Sequence, residues 1–92
     1  MNPIPGPDAL EQARAVIAAG PESASALTLY ALVNTLEFQR AGALFKLTKL
    51  ADLEPAHRPI AYGLMECLVD GQVGDARWQA AKAHMDRLIR GV

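Results

Sequence analysis

From Ala24 to Leu53 the chain carries no proline, a single glycine at Gly42, and eight leucines. Nothing in that stretch favours a turn, and Leu and Ala stand near the head of the helix propensity order, so it predicts one helix of roughly 30 residues, beyond the usual ~8 to 20. Gly42 costs such a helix about 1 kcal/mol relative to Ala and is the expected place for a kink or break. On a helical wheel, at about 100° per residue, the stretch shows two apolar faces. Leu29, Leu32, Val33, Leu36, Ala43, Leu47, Leu50 and Ala51 form a broad stripe. Leu27, Ala31, Phe38 and Phe45 form a narrower one, edged by Tyr30 and Ala41, and it holds both phenylalanines of the protein. Thr28, Thr35, Gln39 and Lys46 separate the faces on one side, Glu37 and Thr48 on the other. A helix apolar on opposite sides must be covered on both.

Prolines and glycines divide the rest of the chain. Pro3, Pro5 and Pro7 read as an extended arm over residues 1–7, because proline fixes φ and lacks an amide donor. Asp8, with Glu11 three places on, predicts a capping box and a first helix over 9–19. Gly20 and Pro21 close it, glycine taking a left-handed cap and proline refusing continuation. Ser23 or Ser25 caps the second helix. Pro55 and Pro59 interrupt the chain again, the latter suited to the first turn of a third helix over 57–69. Asp70 to Gly74 reads as a tight connection. Asp75 then caps a fourth helix that ends at Arg90 and Gly91. The expected fold is therefore all-α: one domain over residues 8–92, four helices around a long central second helix. With 17 Ala and 12 Leu among 92 residues, and aromatics at 5%, the composition agrees.

Apolar residues make up 51% of a chain that would bury only about two thirds of its unfolded surface as a compact monomer. That excess points to burial against another chain, and a homodimer is expected. The third helix adds to the argument: Ile60, Ala61, Leu64, Met65, Cys67, Leu68 and Val69 leave it a thin polar edge at Glu66. The fourth is more ordinary, with Trp78, Ala81, Met85 and Leu88 spaced as one face. Aromatic residues are enriched at the centres of interfaces, so the narrow stripe of the second helix is the expected protein-binding surface: Leu27, Tyr30, Phe38 and Phe45.

Chemistry finds little to work with. Cys67, His57 and His84 are isolated, without the clustered spacing zinc requires, so neither metal nor cofactor is expected. Cys67 lies among apolar residues and reads as a small buried hydrophobe; no cationic neighbour would activate it. Glu37, Glu66 and Asp70 sit among solvent-type residues and offer no paired acid and base. Each glycine is assigned to a turn or a kink. His57 and His84 read as surface histidines, Met65 and Met85 as core filling. An enzyme is not expected. A net charge of −1 removes the general electrostatic case for nucleic acid or membrane binding. No run of apolar residues is long enough for a membrane span, the N-terminus lacks a secretory signal, and one cysteine forms no internal disulfide, so the cytoplasm is the expected compartment. A second reading uses the fourth helix, whose Arg77, Gln79, Lys82, His84, Arg87 and Arg90 follow a helix and a glycine-containing turn in the outline of a helix-turn-helix DNA-binding regulator.

The segment Leu27-Thr28-Leu29-Tyr30-Ala31-Leu32-Val33-Asn34-Thr35-Leu36-Glu37-Phe38, continued by Leu44-Phe45-Lys46-Leu47-Thr48-Lys49-Leu50, resembles the small helical anti-activator proteins of proteobacteria. In the QslA-like type, such a protein holds a LuxR-type quorum-sensing regulator inactive by occupying its dimerisation surface. The resemblance covers the middle third of the chain and its overall size. It implies a dimeric helical protein that binds a transcription regulator and competes with that regulator's own dimerisation. Sequestering a partner protein or blocking its assembly is therefore the expected function.

Overall fold

A computed structural model describes residues 4–37 and 47–91, and among them every regular element is helical. Four α-helices are present: α1 (Gly6–Ala19), α2 (Ala24–Glu37), α3 (Arg58–Val69) and α4 (Ala76–Arg90). Among the described residues no helix is long and apolar enough to cross a membrane.

α1 starts three residues before the expected position. Pro5 takes the cap position with an extended ψ of 144°, Pro7 falls in the first turn, and the Ala9 amide donates to Pro5 O at 2.8 Å. The prolines that suggested an arm therefore open the helix, because the first turn has no use for the amide that proline lacks. Asp8 sits inside that turn and makes no cap; its charge instead faces the positive end of the helix. At the other end Gly20 is extended, with φ −159°, and not left-handed. The following Pro21 explains this, since a residue before proline is pushed out of helical backbone.

The remaining boundaries follow their local chemistry. Ser23 Oγ accepts from the Ala26 amide at 3.1 Å and Asp75 Oδ1 from the Trp78 amide at 2.8 Å, two side-chain caps of the expected kind. Pro59 lies in the first turn of α3, and Gly91 closes α4 in left-handed backbone at φ 74°. The far end of the predicted long helix differs: Leu47–Asp52 is a 3-10 helix, followed by a second short one over Pro55–His57. A continuous α-helix to Leu53 is thus corrected at its C-terminal end. Gly42 and the segment around it, 38–46, lie outside the described residues.

The hub of the packing is α1. It packs most extensively on α3, then on α4 and α2, whereas α2 and α4 meet only sparsely. Among the described residues α1 makes more extensive contacts than the described part of the second helix. Small side chains make this possible. Ala9 and Ala13 are fully buried, and Gly63 of α3 comes so close to α1 that a Cβ there would stand 2.5 Å from Ala9 Cβ and 2.7 Å from Ile4 O. Gly63 is a packing glycine, neither turn nor kink. Around this contact Leu10 and Ile17 of α1 join Leu29, Leu32, Val33 and Leu36 of α2, Ile60, Leu64 and Cys67 of α3, and Trp78 and Met85 of α4 in one core. The broad stripe of the second helix is thus buried over its described α-helical part. Ala51 at its end is exposed, and Leu50 is half-buried against the core.

Candidate functional site

The narrow stripe of α2 splits in two. Leu27 stays 49% exposed, among the most exposed large apolar side chains described, while Tyr30 turns toward α4. Leu27 stands at the edge of an open groove of about 510 Å³ where the α1–α2 turn, with Gly20, Pro21 and Ser23, meets Leu88 and Ile89 near the end of α4. Both α4 residues are half-buried against the core, so the groove has an apolar wall on each side. Ala31 is exposed on the same helix. Phe38 and Phe45, the other expected binding residues, lie outside the described residues.

One turn further along α2, the seam with α4 is polar. The Tyr30 hydroxyl donates to Asp86 Oδ1 at 2.5 Å, Lys82 Nζ donates to the same carboxylate at 3.0 and 3.3 Å, and that ammonium lies 5.5 Å from the Tyr30 ring centroid. Glu37 Oε2 is 3.8 Å from Lys82 Nζ, close enough for ionic attraction and too long for a hydrogen bond. The half-buried Tyr30 thus holds α2 to α4 through charged partners. A hydrophobic wheel does not find this, because Tyr30 of α2 meets Lys82 and Asp86 of α4 only in the tertiary structure.

This network shifts two groups in opposite directions. Burial works against the charged form of Asp86, but hydrogen bonds from Tyr30 and Lys82 outweigh it and hold the carboxyl below its ordinary value of 3.8. Burial, followed by the bond to Asp86, pushes the Tyr30 phenol above its ordinary value. A carboxyl with a depressed folded-state pKa stabilises the protein above its unfolded-state value and loses that contribution as pH falls through the folded-state one. Tyr30→Phe is therefore expected to cost about 1 kcal/mol at neutral pH, and to make stability less steep in pH below 3.8. Urea denaturation of both proteins at neutral and acid pH measures this. Equal midpoints throughout would mean that the hydroxyl contributes nothing.

Lys82 also bears on the DNA-binding outline. It is only 9% exposed and directed at carboxylates, and Gln79 Nε2 donates to Gly74 O at 2.9 Å. His84 Nδ1 accepts from Arg14 Nη1 at 3.2 Å. Of the six residues in that outline, Arg77, Gln79, Arg87 and Arg90 are exposed. His57, expected on the surface, is half-buried with Nδ1 at 2.9 Å from Ser25 Oγ, and that oxygen also accepts from the Glu54 amide at 3.3 Å. Ser25 is therefore a buried link between α2 and the turn before α3, while Ser23 makes the cap. Thr28, expected at a polar boundary, is buried as well.

Cys67 is 1% exposed, and burial, with the charges of Asp75 and Asp70, raises its thiol pKa above the ordinary value. A thiol in that setting stays protonated and packs as a small hydrophobe. Among the described residues no three His, Cys, Asp or Glu side chains gather as ligands for a metal ion. Compared with protein-family models, with curated proteins and with solved structures, the chain finds no match.

Proposed function

We propose that the chain acts by protein–protein interaction, as a small cytoplasmic regulator that sequesters a partner protein or blocks its assembly. The observation that carries this reading is the exposure of Leu27 beside Leu88 and Ile89 in an open apolar groove. An apolar side chain from a partner helix, seated there, would remove Leu27 from water and bury surface that the monomer leaves wet. The chosen partner is a transcription regulator, held inactive at its own assembly surface, as the likeness of the Leu27–Phe38 segment to anti-activators suggests. Self-association as a homodimer belongs to the same proposal and draws on the apolar excess of the composition.

The test is a pair of variants read in two assays. Leu27→Asp places a carboxylate near the N-terminal end of α2, where the helix dipole tolerates it, so folding should survive. Circular dichroism checks this. With folding intact, a stoichiometric partner recovered from the native lysate by the tagged wild type should be lost, with binding weakened by about 2 kcal/mol as for a central apolar anchor. Sedimentation equilibrium reads self-association on the same two proteins. Equal recovery and equal assembly by wild type and variant would overturn the reading.

A further inference from the structure

α1 and α4 also enclose a second open groove of about 360 Å³, which shares no lining residue with the Leu27 groove. Leu10 and Arg14 line it from α1, and Arg77, Ala81, His84 and Arg87 from α4. Steps of three and four residues place one stripe of each helix on the groove. Leu10 and Ala81 are buried and give it an apolar floor, and the rim is cationic. Arg14 is held by both walls, donating from Nε to Glu11 Oε1 at 2.9 Å and from Nη1 to His84 Nδ1 at 3.2 Å. Because Nδ1 accepts, the ring proton sits on Nε2, which becomes a further donor. Arg77 and Arg87 are exposed and form no ion pair among the described residues.

Glu11 is the carboxylate in this lining. Its pKa is lowered, first by the hydrogen bond with Arg14 and then by the charges of Arg14 and Arg77. A chain of net charge −1 thus gathers positive charge along one seam.

We propose that this groove binds an acidic amphipathic segment of a partner protein, its apolar side chains on Leu10 and Ala81 and its carboxylates on Arg14, Arg77 and Arg87. A guanidinium presents a planar fork that a carboxylate meets with two bonds, and a cationic rim over an apolar floor matches a helix with acidic flanks. Nucleic acid fits less well. A phosphate backbone would gain nothing from Leu10 and Ala81, would meet Glu11, and needs several cationic contacts to bind at ordinary salt. The inference does not rest on the Leu27 groove, and the two are separated by their variants.

The experiment is fluorescence anisotropy of a fluorescein-labelled amphipathic peptide, leucine on one face and glutamate along its flanks, titrated with the full chain. The same peptide with lysine for glutamate is the control. The glutamate peptide is expected to bind saturably and more weakly as salt rises, with the lysine peptide at least about tenfold weaker. Arg77→Glu combined with Arg87→Gln should weaken the glutamate peptide by about tenfold, and Leu27→Asp should leave it unchanged. Should the double variant misfold, chemical-shift mapping on the wild type replaces it: the Arg Nε–H and His84 signals must move on titration. No binding of the glutamate peptide, equal binding of both peptides, or equal binding by a folded double variant would overturn the proposal. So would binding of a duplex oligonucleotide, lost in that variant, where the glutamate peptide fails.

Discussion

Replacing Trp78 with alanine is expected to destabilise the protein by about 3 to 5 kcal/mol. A chain of this length has a marginal reserve of about 5 to 14 kcal/mol in total, so the variant should lose a large share of its stability. Trp78 is the largest fully buried side chain described and stands at the start of α4. Its backbone amide is at the same time the donor to the Asp75 cap. Anchor and cap therefore coincide at one residue, and losing the ring frees the end of α4 that packs against α1. Phenylalanine should behave differently. The Trp78 Nε1 group is buried without a hydrogen-bond acceptor among the described residues, and an unpaired buried donor carries its own penalty. Trp78→Phe leaves a smaller cavity and removes that donor, so a loss of about 1 to 2 kcal/mol is expected. Far-UV circular dichroism in urea measures both, since the single tryptophan is no longer present as a fluorophore. Equal midpoints for wild type and Trp78→Ala would show that the ring does not anchor α4.

Trp78 also shows which parts of this fold are readable without a structure. Its spacing with Ala81 and Met85 marks a buried face, as does that of Leu29, Leu32, Val33 and Leu36 in α2, and all seven are buried. The caps at Ser23 and Asp75 and the stop at Gly91 depend on neighbours within a few residues, so local reading finds them. What stays hidden depends on distant partners. Lys82 is polar by type and buried because Tyr30, Asp86 and Glu37 receive it. Ser25 is buried because the turn near Glu54 and His57 closes over it. The cationic groove escapes notice because Arg14 and His84 are seventy positions apart and meet only when α1 and α4 pack. The hub role of α1 is hidden for another reason: its buried Gly6, Ala9 and Ala13 carry a weak hydrophobic signal, and their value lies in how closely they let a neighbouring helix approach.

That close approach leads to the second large effect. Gly63→Ala is expected to destabilise the protein, against the rule that alanine improves an exposed helix position by about 1 kcal/mol over glycine. The added methyl would lie 2.5 Å from Ala9 Cβ and 2.7 Å from Ile4 O. Neither neighbour can rotate away, since one is a β-carbon and the other a backbone oxygen, so α1 has to move back from α3. The two helices form the most extensive packed pair of the fold, and overpacking at such a contact costs about 1 to 3 kcal/mol, occasionally more. The sign of the measured change therefore decides whether the helices approach this closely. A double-variant cycle makes the cause specific. Ala9→Gly alone should lose about 1 kcal/mol of helix propensity, but in the Gly63→Ala background it removes one of the two clashes and should cost less, or restore stability. Rescue should remain partial, because Ile4 O is backbone and stays in place. Urea midpoints of the four proteins give the coupling directly. Strict additivity, or a Gly63→Ala protein more stable than the wild type, would show that α1 and α3 stand further apart than this packing requires.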